Sequence, residues 1–357
     1  MFISIKGIAS SRFLLIITLA MAVLLYRLEI YDLLIFWLLT FSLAILLSRV
    51  LVVSFIVSLV AVLVYFGLYA YFALPPVDEA QYRSYIAGLK VGAHRGLSLD
   101  APENTFAAFR LTKELKADSL EFDLEFTSDG VAVILHDDTV DRTTDGTGRI
   151  NEMTWEQAHK LNVAAKFTGG VKKFDKETMP TLEETVQLGL KLGFKMLIDV
   201  KTPHELVVPT ITKLFRKYPE LYNTTSVCSF FPQVAYTVKR ADPRIITAHT
   251  WREYFFTYVD LANTKRRHDG WFKHSVVYIF ERIYLWSLHN WLWKWTGIDL
   301  VLAHHIEITK SYVDMWRERK IQVVAWTVND LHEKRHFLNN LQCPFLTDRL
   351  SDMQDDL

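Results

Sequence analysis

Apolar residues follow two different patterns along this chain. From Phe13 to Leu74 they form three nearly unbroken runs, Phe13–Tyr26, Leu33–Leu47 and Val50–Leu74, separated by Arg27, Glu29 and Asp32 and then by Arg49. The third run carries no charge over 25 residues. As a helix rising about 1.5 Å per residue it would reach roughly 37 Å, against a bilayer core of about 30 Å. Pro75-Pro76 then ends it, because proline cannot continue the hydrogen-bond ladder, and Tyr65, Tyr69, Tyr71 and Phe72 suit a membrane interface. The pattern predicts a transmembrane region over 1–77 with one to three spans, three preferred, and residues 50–74 are its best-marked helix. A signal peptide over 1–26 is disfavoured, since no convincing cleavage site follows the apolar run.

After position 90 the runs are short and stop at polar residues. They are Val91–His94, Leu120–Leu124, Val131–His136, Met196–Val200, Ser226–Ser229, Ile245–Ala248, Leu300–Ala303 and Ile321–Trp326. Helix-period segments lie between most of them, notably Glu103–Leu115, Leu182–Leu192, Pro209–Lys217 and Thr309–Arg319. Thr181 followed by Glu184 has the spacing of a capping box. Strands alternating with helices over 88–352 predict an α/β fold, a TIM (β/α)8 barrel preceded by N-terminal transmembrane helices. A doubly wound open sheet lacks its Gly-rich turn here. Thr127-Ser128-Asp129-Gly130 leaves room for a tight turn only, so the barrel is locally irregular there.

The connections 138–180 and 251–297 are long for a barrel. The second is an aromatic-rich insertion whose stretch Val276–Trp295 is apolar, yet carries Glu281, Arg282, His289 and Lys294. A single crossing there would prevent barrel closure, so an interfacial amphipathic helix near the barrel mouth is the better reading. Composition narrows the partners. The formal charge is zero, with no basic stripe or tail, which excludes nucleic acid. Cys228 and Cys343 sit in apolar surroundings and read as buried free thiols.

The chemistry lies at strand ends. Glu121 and Asp123 are two apart, so on a strand they face one way and repel unless a cation neutralises them. All-oxygen ligation favours magnesium, calcium or manganese, and Asp199 ends another strand as a third candidate ligand. Glu125 continues the alternation farther from the rim. His94 and His136 end two different strands and can serve as acid and base near neutral pH. Arg95 can hold a phosphate oxygen, and Lys201 adds a second fixed charge. Any one of the chain's 12 histidines is more often structural. Here both share the strand-end position of the carboxylates, which points to metal-dependent hydrolysis of a phosphodiester.

The ordered set His94-Arg95-Gly96, Glu103-Asn104-Thr105, Glu121-Phe122-Asp123, Thr127-Ser128-Asp129-Gly130 and His136-Asp137 resembles the glycerophosphodiester phosphodiesterase family signature. The match runs on through Asp141–Gly148, Trp326-Thr327-Val328-Asn329 and Leu346-Thr347-Asp348, so it covers residues 90–350. Within the family the chain is most similar to the membrane-anchored animal branch.

The resemblance implies a TIM barrel that hydrolyses glycerophosphodiesters, such as glycerophosphoinositol or N-acyl glycerophosphoethanolamine, to glycerol 3-phosphate and an alcohol. His94 and His136 would be the acid/base pair, Glu121 and Asp123 metal ligands, and Arg95 and Lys201 phosphate contacts. Asp137 would orient His136. The family usually has glutamate where Asp199 stands, which makes that ligand the least direct transfer. The implied cofactor is a divalent metal, magnesium ahead of calcium. A lysophospholipase D acting mainly on lysophospholipids is the alternative. A silent membrane scaffold is disfavoured, because the acid, base and metal residues are all present.

Lys6 and Arg12 place the N-terminus in the cytosol by the positive-inside tendency. With an odd number of spans the catalytic part is then lumenal or extracellular, an integral protein of the plasma membrane or an endomembrane in contact with the lipid bilayer. The glycosylation triplet Asn223-Thr224-Thr225 agrees with that side.

Overall fold

A computed structural model describes residues 31–48, 51–170 and 173–353. They fall into two compact units, one of residues up to Ala73 with Ile283–Trp295, the other of Leu74–Arg282 with Thr296 onward. In the first unit the helices Tyr31–Ser48 and Leu51–Phe72 pack on each other, with the Phe36 and Tyr65 rings 5.5 Å apart. Trp295 lies nearly parallel to Phe72 at 6.4 Å and edge-on to Tyr69 at 6.1 Å. Among the described residues, Phe55–Phe72 is the one helical stretch long and apolar enough to cross a membrane. The run Phe13–Tyr26 lies outside the described residues.

The second unit is a closed barrel. Its strands are β1 (Val91–Ala93), β2 (Ser119–Phe126), β3 (Ala132–Ile134), β4 (Lys195–Val200), β5 (Thr225–Ser229), β6 (Ile246–Trp251), β7 (Leu300–His304), β8 (Gln322–Trp326) and β9 (Phe345–Thr347). The order is β1-β9-β8-β7-β6-β5-β4-β2, closed by β1 on β2, with every one of these neighbours parallel. β3 is the exception: it returns antiparallel along β2 after the Thr127–Gly130 turn. The run Val131–His136 therefore supplies a hairpin arm and not a barrel strand. The eighth barrel strand is Phe345–Thr347, too short to show a period.

Side-chain alternation builds the interior. On β2, Leu120, Phe122 and Leu124 pack outward, with the Phe122 ring 6.1 Å from Phe109 of the helix Phe106–Glu114. The other face of β2 carries Ser119, Glu121, Asp123 and Glu125, all buried. Lower in the barrel Leu197, Cys228, Ile246, Leu300, Val324 and Leu346 form one cluster. Tyr85, on the helix Glu79–Ile86, closes its N-terminal end: the fully buried phenol donates to Ser226 Oγ at 2.8 Å. Cys228 and Cys343 are buried free thiols, as expected.

Helix ends follow local chemistry. Leu182–Leu192 spans the predicted range and carries the capping box, Thr181 Oγ1 accepting from Glu184 N at 3.3 Å and Glu184 Oε2 accepting from Thr181 N at 3.0 Å. The segment predicted from Glu103 becomes helical only at Phe106, where Thr105 Oγ1 caps Ala108 N at 3.1 Å. Glu103 and Asn104 are withheld from the helix and turn toward the barrel mouth.

Candidate active site

Every sequence-predicted site residue comes to the C-terminal ends of the strands. After β1 the chain turns sharply through His94 and Arg95, and Arg95 adopts φ 52°, a left-handed conformation uncommon for a side chain of this size. The turn is fixed because Arg95 N donates to Glu121 Oε2 at 2.7 Å. Gly96 follows with φ 75°, and a Cβ there would lie 2.8 Å from the Phe109 ring, so only glycine fits. Asp123 on β2 stands beside Asp199 on β4 as a register pair. With Glu121 they form a buried trio whose ligand oxygens lie within 4.8 Å of one another.

Lys201 partly neutralises this trio, with Nζ 2.8 Å from Asp123 Oδ1 and 2.5 Å from Asp199 Oδ2. Asn104 Nδ2 donates to Asp123 Oδ2 at 2.7 Å. Asp199 Oδ1 is buried without a hydrogen-bond partner. Burial, then the Asp123 charge, pushes Glu121 up to about 8. Burial also raises Asp123, but Lys201, His136 and Arg95 outweigh it and hold that carboxyl well below the usual range. Three inward carboxylates against the Lys201 and Arg95 cations, with an orphaned oxygen, form a set able to hold a hard divalent cation. Glu125 lies outside the trio, accepting from Thr202 Oγ1 at 2.7 Å.

Each histidine is backed by an aspartate. His94 Nδ1 is 2.7 Å from Asp348 Oδ1, just past β9, and Asp348 also accepts from Ser98 Oγ at 2.6 Å and Asn329 Nδ2 at 2.8 Å. His136 Nδ1 is 2.6 Å from Asp137 Oδ1. A carboxylate at Nδ1 fixes the proton there and leaves Nε2 as the reactive nitrogen. The rings differ electrostatically. Burial disfavours charge on His94, but the Asp348 carboxylate overrides it and the pKa rises. For His136, burial and the Lys201 and Arg95 cations together push it down to about 4. Both rings, with Arg95, Glu121, Asp199 and Lys201, line one cavity of about 730 Å³.

Residues 94–351 match the model of the Glycerophosphoryl diester phosphodiesterase family. The chain belongs to this family. Glycerophosphodiester phosphodiesterase 1 of Mus musculus and that of Homo sapiens are each 40% identical to it over 258 residues, 72% of this chain and 77% of theirs. The fold is similar to that of the glycerophosphodiester phosphodiesterase from Agrobacterium tumefaciens, TM-score 0.58 at 19% identity over 74% of this chain and 99% of that one. It is equally similar to an Oleispira antarctica phosphodiesterase solved in complex with the product sn-glycerol-3-phosphate, TM-score 0.58 at 21% identity over 76% and 98%.

In this glycerophosphoryl diester phosphodiesterase barrel, several site residues escape a reading by strand ends. Arg142, from the long 138–180 connection, grips Glu103 with Nη1 and Nη2 at 2.7 Å each and Asp137 with Nε at 2.6 Å. It joins the support of His136 to Glu103, which itself lies 3.2 Å from Arg95 Nη1. Asp348 and Asn329 sit in the Leu-Thr-Asp and Trp-Thr-Val-Asn motifs, which were visible signals without an assigned role. What was hidden is that barrel closure sets β9 beside β1.

Proposed function

We propose that this chain hydrolyses glycerophosphodiesters to glycerol 3-phosphate and an alcohol, with a divalent cation, magnesium ahead of calcium, held by Glu121, Asp123 and Asp199. The observation that carries this reading is the pairing of two aspartate-backed histidines with a buried carboxylate trio in one cavity. When bound, the cation supplies Lewis-acid stabilisation of charge on the phosphoryl oxygens. Arg95 adds a positive charge beside the same oxygens, its Nε lying 3.6 Å from Asp123 Oδ2. Lys201 contributes a second positive charge beside them. His136, neutral above about pH 4, takes the proton of the attacking group, which is water or the hydroxyl on the neighbouring glycerol carbon. In the second case the alcohol departs to leave a cyclic phosphate, which water then opens to glycerol 3-phosphate. His94, kept protonatable by Asp348, gives a proton to the leaving oxygen.

The test is kinetic. His94→Ala, His136→Ala and Glu121→Ala should each lower kcat by about 10²- to 10⁴-fold on glycerophosphoinositol while circular dichroism stays native. Chelation should abolish turnover, and magnesium should restore it more fully than calcium. Full activity in His136→Ala would sink the assignment.

A second reading, lysophospholipase D action, is favoured by one feature. The helix Trp271–Ser287 leaves Trp271 76% exposed, with Phe272, Ile279 and Phe280 also exposed, and it follows a loop that lines the cavity. Such a face suits the interface of a bilayer that delivers an acylated substrate. Comparing turnover of lysophosphatidylethanolamine and glycerophosphoethanolamine separates the two. We also propose that Leu51–Phe72 spans a membrane, which with an odd number of spans makes the barrel lumenal or extracellular.

A further inference from the structure

The cavity holds a second cationic region that chemistry at phosphorus leaves unused. On β6 the inward positions Ile246, Ala248 and Thr250 lead by alternation to Arg252, and Arg252, Lys265 and Arg267 all line the cavity. In the ring of eight strands β6 is four places from β1, directly across the mouth. Strands about 4.8 Å apart and tilted about 36° enclose a ring roughly 15 Å wide, enough to hold a diester lengthwise. Arg252 is only 6% exposed and is aimed by the carbonyls of Glu253, Tyr258 and Val259, at 3.1, 3.0 and 3.3 Å. Arg267 Nε donates to Phe255 O at 3.1 Å, and both guanidinium groups lie over the Phe255 ring.

None of the three cations has a carboxylate at ion-pair distance among the described residues. The nearby acids are committed elsewhere. Asp260 accepts from Thr264 N at 3.1 Å and Lys265 N at 2.7 Å, and Glu281 accepts from Phe256 N at 3.0 Å and from Thr257. At the opposite side every cation is paired: Arg95 with Glu103, Lys201 with Asp123 and Asp199, Arg142 with Glu103 and Asp137. Burial, and for Arg252 the neighbouring Arg267 charge, disfavours ionisation of both distal arginines. Clustered, partly desolvated cations are costly unless an anion arrives between them. Phe230, stacked on Phe255 at 4.0 Å, gives the same side a flat apolar wall for the body of a head group.

Resting on the diesterase reading above, we infer that Arg252, Lys265 and Arg267 bind a second anionic group on the alcohol half of the diester. The preferred substrates are then glycerophosphodiesters whose head group carries a phosphate monoester or a carboxylate. An anionic bilayer would also attract Lys265 and Arg267, but it has no access to the buried, inward Arg252.

The experiment uses the full chain in neutral detergent with magnesium and four water-soluble substrates, so that no bilayer takes part. Glycerophosphoserine and glycerophosphoethanolamine differ by one carboxylate, and glycerophosphoinositol 4-phosphate and glycerophosphoinositol by one phosphate. A charge-assisted contact predicts kcat/KM about tenfold or more higher for the anionic member of at least one pair, and the pair that shows it names the anion. Arg267 and Lys265 are exposed, so their variants should fold, which thermal unfolding checks. Lys265→Gln with Arg267→Gln should bring the ratio near one, and Arg267→Glu should favour ethanolamine over serine. Equal kcat/KM within both pairs, or a ratio unmoved by Arg267→Glu, overturns the inference while leaving the diesterase reading intact. Activity that follows the phosphatidylserine content of added vesicles, without head-group preference, assigns the cluster to the membrane and overturns it too. No hydrolysis of any of the four overturns both.

Discussion

At the scale of single residues, the proposed acid and base roles rest on two histidines in different electrostatic surroundings. Both have Nδ1 against a carboxylate and both feel Arg95, yet Asp348 dominates at His94 while Lys201 adds its charge against His136. The difference predicts a specific effect for Asp348→Asn. Asp348 is the charge that raises His94 against burial, so its loss lowers the His94 pKa. Less His94 is then protonated at neutral pH, and the alkaline limb of the kcat profile moves to lower pH. Loss of an orienting partner should also cost roughly 10- to 100-fold in kcat with KM little changed. A pH–rate profile of the variant checks this. An unmoved alkaline limb would mean that His94 is not the acid.

At the scale of elements, buried polar ties join the barrel's helices to its strand ends. Lys239, fully buried on the helix Pro232–Ala241, reaches Asp299 at 2.7 Å just before β7, and Asp299 also accepts from Val77 N and Thr247 N at 2.9 Å each. Burial pushes both partners toward their neutral forms. Lys239→Met strands a carboxylate in the core, and should destabilise by about 3–5 kcal/mol, read as a lower urea midpoint. Replacing both partners with apolar residues of similar volume should recover much of that loss. Periodicity made β2, β4 and β7 legible, because each alternates or runs apolar for several residues. It took Val131–His136 for a barrel strand, since a hairpin arm and a barrel strand share one pattern and differ only in pairing, and it passed over Phe345–Thr347, whose three residues show no period. The site was legible for the same reason and to the same depth. The predicted strand-end residues do come together, while Asp348 meets His94 only when the ring closes, and Arg142 and Asn104 lie in loops whose course carries no periodic signal.

At the scale of the whole molecule, the proposed span count decides on which side of a membrane the barrel would work. On the odd-span reading the barrel lies on the lumenal or extracellular side, where Asn223 meets the glycosylation machinery. Asn223 is exposed and lies two residues before β5 begins, hence at the N-terminal end of the barrel. The cavity opens at the other end of the strands, as in barrels of this kind generally. A glycan at Asn223 would therefore leave the mouth clear. Protein made in sealed microsomes should run as a larger species that glycosidase shortens, its barrel should resist added trypsin, and Asn223→Gln should remove the larger species while kcat/KM stays within about twofold, as for surface changes remote from a site. A barrel cut by trypsin in intact microsomes would put the active site in the cytosol. The span count would then be even, and substrate would have to come from the cytosolic leaflet.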